Sequence, residues 1–504
     1  MNFLNTPIHT STAVSAAPPS FTPSHYQQAI FDDLSQSRPG VNLLIEAVAG
    51  SGKTTTALHA LSVLPNRENS IFLAFNKSIA EEIKAKGAPG STFHALGMRG
   101  LRSILGNDFR IESGKVRKIM QSIVAKELRD DFAELPRLVS IGKNYGIGLF
   151  FPNVPQAWED VLAVHELAFP DGGESKAIDF ASRILEISNS DHTQIDFDDM
   201  LYLPLLLRAK WPTYEYVFVD EAQDTNGIQL EIIRQITTHN SRCIFIGDTH
   251  QAIYGFRGAG TDAMSRIAEA FSCEYLPLSV SYRCPSSVVD YAKRFVPQIE
   301  SAPNASLGKV ETMESWKPSY LTANSVVVCR NKKPLIRLAY ALIKNGRQVQ
   351  VLGKDIGAGF KQILKFTKAA SMPELIKKLE SARDKKADAE DAKKRFAKAE
   401  SIRDQYDSLL CIIDAFPQCS VENVPREIDK LFADCPGAVQ LCTVHKSKGL
   451  EWENVFILDA NLYMPSKFAL DSEGWQLEQE YNLIYVAATR AKKNLYFITS
   501  KGMN

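Results

Sequence analysis

Short apolar runs alternate with amphipathic stretches along this chain. Val41-Asn42-Leu43-Leu44-Ile45 is the first run and Ile71-Phe72-Leu73-Ala74-Phe75 the second. Each has the length and near-uniform apolarity of a strand buried on both faces of a parallel sheet. Residues Thr54 to Leu61 can start and continue a helix after the first run, and a further helix is predicted from about Ser78. From about Leu101 to Ile195 the pattern turns helical and irregular, with no strong strand; Val116, Ile119, Met120, Ile123, Val124 and Leu128 keep helical spacing. Strands resume at Tyr216–Val219 and Cys243–Ile246. The alternation predicts a doubly wound parallel sheet, and the stretch between its halves reads as a helical insertion.

A second α/β unit follows, with strand candidates at Ser325–Cys329, Gln348–Leu352, Val439–Thr443, Val455–Leu458 and Leu495–Ile498. It too is interrupted. From Glu374 to Phe416 there is neither Gly nor Pro, charges of both signs alternate with Ala, and Ile402, Tyr406, Leu409, Ile413 and Phe416 keep a 4-3-4-3 spacing. This predicts one long helix or a helical hairpin. It reads as a solvated arm or, more sharply, as an arm that contacts DNA or a protein partner.

The bulk numbers narrow the class. At ~150 residues per domain, 504 residues suggest three or four domains. Formal net charge is zero, which argues against a globally basic nucleic-acid binder and leaves room for a local basic groove. The eight cysteines form no C-x-x-C, and Cys411, Cys419, Cys435 and Cys442 lack zinc-like spacing, so buried thiols in a reducing compartment are expected. No apolar run approaches the ~18 residues of a membrane span. Residues 1–22 are rich in Ser, Thr, Pro and Ala without Lys or Arg, the composition of a disordered tail rather than a targeting peptide. A cytoplasmic setting, bacterial or in a phage-infected host, is the expectation.

Chemistry enters at AVAGSGKTTT, residues Ala47 to Thr56. Gly50 and Gly52 sit where the backbone must bend and bring its N–H groups against phosphate oxygens. The nucleotide-holding set is Ala49, Gly50, Ser51, Gly52, Lys53, Thr54 and Thr55. Lys53 would reach the β- and γ-phosphates and the Thr54 hydroxyl would ligate Mg²⁺. Ala47 departs from the commonest G-x-x-x-x-G-K-[ST] form. VFVDEAQD then places two adjacent carboxylates after a buried strand. Asp220 would hold Mg²⁺, and Glu221 would orient and deprotonate the attacking water. In IFIGDTHQAIYGFRGAG, Gln251 suits sensing of a γ-phosphate. Tyr254, Phe256 and Arg257 interleave aromatics with a cation, as stacking on unpaired bases requires, at about 1–3 kcal/mol per base.

With these motifs in order, the chain resembles superfamily 1 helicases of the UvrD/Rep/PcrA type. LAFNKSIAEEI, STFHALG, IDFDDML, LSVSYRCP, VQLCTVHKSKGLEWENVFIL and NLIYVAATRAKKNLYFI complete the series, from about Tyr26 to Ile498. AxxGxGKT is that family's own form of the phosphate loop. The resemblance implies two RecA-like P-loop NTPase cores, each a parallel sheet flanked by helices and carrying a mainly helical insertion, with ATP between them. It implies that Gln27 or Gln28 reads adenine, Tyr282 stacks on the base, Glu451 contacts the ribose, and Arg283 and Arg490 reach the γ-phosphate. Cations from the opposite lobe suit a transition state that spreads negative charge. Phe75, Asn76, Thr92, Phe93, His94, Tyr254, Phe256, Arg257 and His445 match family positions on the DNA-binding face.

The expected division is a tail over 1–22, a first core over 23–95 and 196–265 with its insertion at 96–195, and a second core over 266–360 and 437–504 with its insertion at 361–436. The second insertion is short beside that of larger family members. The sequence runs on little beyond the last motif, so neither a nuclease domain nor a partner-recruiting extension is expected. The expected function is an ATP- and Mg²⁺-dependent translocase on single-stranded DNA with helicase activity at single- to double-strand junctions. The resemblance implies 3′ to 5′ polarity and service in repair, replication or recombination. Two alternatives stand beside it: a translocase that strips proteins from the strand with little unwinding, and an ATP-switched interaction protein that recruits partners through residues 374–416.

Overall fold

The structure is a computed structural model describing residues 22–74, 77–129, 131–165, 167, 169, 172–253, 263–367, 369–392, 396–470 and 475–503. Two six-stranded parallel sheets organise it. The first contains Leu43–Ala47 (β1), Ser70–Ala74 (β2), Gly90–Thr92 (β3), Tyr216–Asp220 (β4), Arg242–Gly247 (β5) and Glu274–Leu278 (β6). Its order is β3-β2-β4-β5-β1-β6. The inner strands β1, β2, β4 and β5 are the apolar runs of the sequence, almost wholly buried. Because β4 and β5 lie between β1 and β2, the chain reverses direction across the sheet at this point. Crevices at the carboxyl ends of such strands are where α/β proteins bind ligands.

The second sheet contains Lys309–Met313 (β7), Ser325–Cys329 (β8), Val349–Val351 (β9), Val439–Thr443 (β10), Trp452–Leu458 (β11) and Ala491–Ile498 (β12). Its order is β7-β12-β11-β8-β10-β9, again all parallel. The strands outside the sequence expectation are mostly edges. β6 and β7 expose much of their length and so show no uniform apolarity. Pro277 within β6 is tolerated because an edge strand needs no ladder donor on its open side.

His25–Ser35 (α1) and Lys53–Val63 (α2) pack on the first sheet. The first insertion is built from Phe93–Leu105 (α3), Lys115–Ile123 (α4), Leu135–Tyr145 (α5), Pro155–Val164 (α6) and Glu174–Ser190 (α7), and leads to Asp199–Leu206 (α8). A two-residue ladder, Arg110–Ile111 with Gln194–Ile195, closes it. The helical pattern from Val116 to Leu128 is only partly continuous: α4 stops at Ile123 and a separate 3-10 turn spans Lys126–Leu128. Insertion and core share one hydrophobic cluster. At its heart Asp199 accepts from two buried lysines, Lys115 at 2.7 Å and Lys143 at 2.6 Å, and Lys143 also meets Asp196 at 3.2 Å. Burial works against the Lys143 ammonium, but Asp199 and Asp196 outweigh it and hold the group charged. A buried cation without such partners costs several kcal/mol, so the order of magnitude requires the pairing.

The second insertion contains a helical hairpin. After Lys332–Lys344 (α9) come Met372–Ala392 (α10) and Phe396–Asp414 (α11), packed on each other. The reading of a solvated arm fails for α11. Tyr406, Leu409 and Ile413 are buried with Leu335 and Leu342 of α9 in the second core's cluster. The Asp404 carboxylate also accepts the backbone N–H groups of Lys332 and Lys333, each at 2.9 Å, and so caps α9. A third cluster joins the two cores: Val48, Ala49 and Ile253 of the first pack with Val288, Leu483 and Tyr485 of the second, the last two on Trp475–Ala488 (α12). All eight cysteines are free; Cys243, Cys284, Cys329 and Cys442 are buried and the others half-buried. Among the described residues no helix is long and apolar enough to cross a membrane.

Candidate nucleotide cleft and strand-binding face

β1 delivers the chain into a loop whose glycines adopt left-handed backbone angles, φ 74° at Gly50 and 77° at Gly52. α2 then starts at Lys53 with no side-chain cap, so its first amides are left for a ligand. The Ser51 hydroxyl oxygen is buried without a hydrogen-bond partner, an orphan that phosphate oxygens would satisfy. Lys53 Nζ stands 3.4 Å from Glu221 Oε2. Burial opposes its charge, but Glu221, Asp248 and Asp220 together raise its pKa above the usual lysine value. Thr54 is half-buried on the first turn of α2, and Thr55 is exposed.

β4 and β5 end beside this loop. Asp220 is the last residue of β4, and its Oδ1 accepts the Glu221 N–H at 2.9 Å. Glu221 is held at φ 51°, an unusual conformation for a residue with a side chain, and such strain collects at functional sites. The two carboxyls are pushed apart. Burial, and then the Glu221 charge, raise Asp220, whereas at Glu221 the Lys53 and Lys448 ammonium groups overcome burial and hold the carboxylate ionised. From Glu221 a relay crosses the site. Gln223 Nε2 donates to Glu221, Asp248 N–H donates to Gln223 Oε1 at 3.0 Å, and Gln251 Nε2 donates to Asp248.

The second core closes the other wall. Ser281 Oγ donates to the Ala49 carbonyl at 2.8 Å, Tyr282 N–H to the Gly50 carbonyl at 2.9 Å, and Ala49 N–H to the Tyr485 hydroxyl at 2.8 Å. A methyl group on Gly50 would lie 2.5 Å from Arg283 Cβ, so glycine is needed for this approach. Arg283 Nε donates to Glu451 at 2.7 Å, and Glu451 also accepts from Lys492 at 3.2 Å. Arg490 is fully buried. It donates to the Val486 and Leu450 carbonyls and, across the cleft, to Gln251 Oε1 at 3.4 Å. Burial, with Arg283 nearby, pulls its pKa down to about 10. Gln27, 1% exposed, donates to Thr56 Oγ1 at 2.9 Å and accepts from the Tyr282 hydroxyl at 3.3 Å. Gln28 is corrected: it lies on the exposed side of α1 and donates to Asp32 at 2.7 Å, away from the cleft.

The residues expected on a strand-binding face divide. Thr92 caps α3, accepting the Ala95 N–H at 3.1 Å. His94 is exposed, its ring edge-on to Phe197 at 6.3 Å. His445 is half-buried in the short helix Val444–Ser447 at the end of β10. Phe93 is corrected: at 5% exposed it belongs to the hydrophobic cluster under α3 and presents no face to a strand. Phe75, Asn76, Tyr254, Phe256 and Arg257 lie outside the described residues, as do residues 1–21 of the expected tail.

Two family models match in succession: the UvrD/REP helicase N-terminal domain over residues 32–272 and the UvrD-like helicase C-terminal domain over 362–502. The chain belongs to the UvrD/Rep helicase family. It is 26% identical to F-box DNA helicase protein 1 of Schizosaccharomyces pombe, over 91% of this chain and 56% of that one. It is 27% identical to DNA helicase II of Escherichia coli over 51% of this chain and 38% of that protein. A probable DNA helicase II homolog of Mycoplasma pneumoniae is 22% identical over 91% and 82% of the respective lengths. The chain thus spans little more than half of the yeast relative and well under half of the E. coli one.

In this UvrD/Rep family member the cleft gathers Lys53, Asp220, Glu221, Gln251, Arg490, Gln27 and Tyr282, with Arg283 and Glu451 paired at its edge. Mg²⁺ can be tested against the donors. Among the described residues no group of three or more His, Cys, Asp or Glu could hold a metal ion alone. Thr54 and Asp220 supply a hydroxyl and one carboxylate, a set that fits Mg²⁺ completed by phosphate oxygens and water. Sequence reasoning gave no role to Lys448, which reaches from the second core to Asp224 Oδ2 at 2.7 Å and to the Gln251 carbonyl at 2.8 Å. Its signal was present, since Lys448 and Asp224 both lie inside quoted motifs, but nothing local pairs them. Tyr485, Asp248 and the exposed Phe197 were passed over in the same way.

Proposed function

We propose that this chain is an ATP-hydrolysing motor on single-stranded DNA, a translocase and helicase moving 3′ to 5′ and acting at single- to double-strand junctions in repair, replication or recombination. The observation that carries the reading is one cleft lined by Lys53, Asp220, Glu221 and Gln251 from the first core and by Arg283 and Arg490 from the second. Amides at the start of α2 and Lys53 bind the phosphates. Phosphate oxygens compete with Glu221 for Lys53, which frees the Glu221 carboxylate to take the proton of a water attacking the γ-phosphorus as its bond to the ADP oxygen breaks. Mg²⁺, when bound, supplies charge neutralisation on the phosphate oxygens, with Thr54 and Asp220 as its protein ligands. Arg283 leaves Glu451 for the γ-phosphate, and Arg490 arrives beside Gln251. Opening and closing of the cleft moves the two cores alternately along the strand, through backbone contacts that are salt-sensitive and indifferent to sequence. The proposed division is a first core over 23–95 and 196–265, a second over 266–360 and 437–504, insertions at 96–195 and 361–436, and a tail over 1–22.

A forked duplex with a 3′ single-stranded tail tests this directly. ATP-dependent separation of that fork, and none of the matching 5′-tailed one, is the expected result. One structural feature favours a second reading. In the second insertion α11 is committed to its own core, leaving less surface to engage a duplex. If the fork stays annealed while streptavidin is displaced from a 5′-biotinylated strand, the motor strips proteins and separates strands poorly.

A further inference from the structure

Three consecutive carbonyls of the first core accept hydrogen bonds from the second. Gln251 O takes Lys448 Nζ at 2.8 Å, Ala252 O takes Asn482 Nδ2 at 3.3 Å, and Ile253 O takes Gln479 Nε2 at 2.8 Å. The amides of the same segment stay with their own core: Gln251 N–H donates to Asp248 O at 2.9 Å and Ala252 N–H to Thr249 O at 3.1 Å. The Ile253 side chain is fully buried and sits in the cluster made mostly of second-core residues. Residues 251–253 therefore join two tasks. Upstream, Gln251 meets Asp248 and Arg490 at the cleft. Downstream in sequence come Tyr254, Phe256 and Arg257, which the proposed motor uses on the strand.

We propose that Gln479 and Asn482, one turn apart on α12, are positioning residues that tie this segment to the second core, so that the state of the nucleotide cleft sets the grip on the strand. Both are neutral amides donating to backbone carbonyls, a contact that survives any change of charge in the cleft. Neither touches the phosphate loop, Glu221 or Arg490 among the described contacts. When the second core moves, the carbonyls it holds move with it, while the amides remain anchored in the turn Thr249–Gln251. The segment is thus pulled between two bodies, and coupling needs such an element that both sites bias. This inference rests on the motor reading above.

The test uses the full chain, a fluorescein-labelled oligothymidylate, and an ATP analogue with a non-hydrolysable β,γ bridge. Strand affinity is measured with and without the analogue. In the parent the ratio of the two affinities is expected to be about tenfold, within the usual range of coupling between sites. In the double variant Gln479→Met/Asn482→Ala it is expected to fall below about twofold, with strand-free ATPase and thermal midpoint unchanged. A merely structural role would shift the midpoint and leave the ratio alone. Asn482 is buried and its replacement could unfold the chain, so Gln479→Glu is measured beside it. That variant keeps the size of a half-buried side chain and replaces the donor to Ile253 O by an acceptor. A parent-like ratio in Gln479→Glu overturns the proposal whatever the double variant does, and so does a parent whose strand affinity ignores the analogue. Failure of the motor reading is told apart by parent ATPase that does not respond to the strand at all.

Discussion

Lys53 and Glu221 stand 3.4 Å apart, and much of the residue-scale chemistry follows from that contact. The AVAGSGKTTT loop was legible as a strand-to-helix turn because that turn demands particular residue types at fixed spacing, glycines for φ near +75° and a residue that opens the helix at Lys53. The adjacent Asp220 and Glu221 were legible as a carboxylate pair at a strand end because an apolar run precedes them. Phe93 was misread because a motif gives a position and not a burial, and an aromatic at the start of a helix can equally be core. Gln27 and Gln28 were equivalent in sequence, and only Gln27 lies on the face of α1 that meets Thr56 and Tyr282. Burial also sets a pH dependence at His165, whose ring nitrogen lies 3.1 Å from the Tyr145 hydroxyl. Burial, with Arg137 adding to it, lowers its pKa from 6.5 to about 4. The folded state thus favours neutral imidazole. This contribution to stability is complete above pH 6.5 and is lost as pH falls toward 4. Urea unfolding at pH 7 and pH 5 should show a larger loss in the parent than in His165→Gln, which keeps a partner for Tyr145. Equal losses would contradict the assignment.

At the scale of elements, the inner strands and the helical hairpin were readable and the edges were not. β8 and β10 coincide with their apolar runs because both faces of a central parallel strand are covered. β3, β6 and β7 escaped because a short or half-exposed strand carries no such signature. The 4-3-4-3 spacing of residues 402–416 correctly announced an apolar seam. Its partner could not be seen, since α9 and the capped amides of Lys332 and Lys333 lie some seventy residues away. The consequence is measurable. Leu409 is fully buried against the second core, so Leu409→Ala should cost about 2–5 kcal/mol in chemical denaturation. An unchanged midpoint would return the hairpin to the status of a solvated arm.

At the scale of the molecule, two cores were legible from two interrupted α/β patterns, but the contacts between them were not. Lys448 to Asp224, Tyr485 to the Ala49 amide and Arg490 to Gln251 join residues 224–436 positions apart in sequence, and no local pattern encodes such pairs. They make the cleft a joint property of both bodies, which is what a motor driven by closure requires. Steady-state ATPase of the purified chain, with and without single-stranded DNA and with Lys53→Ala alongside, tests this most directly. The account predicts strong stimulation by the strand, abolished in Lys53→Ala while that variant keeps the parent's thermal midpoint. A slow rate indifferent to the strand would contradict the motor and leave the cleft as a switch for protein partners, and normal hydrolysis in Lys53→Ala would overturn the site itself.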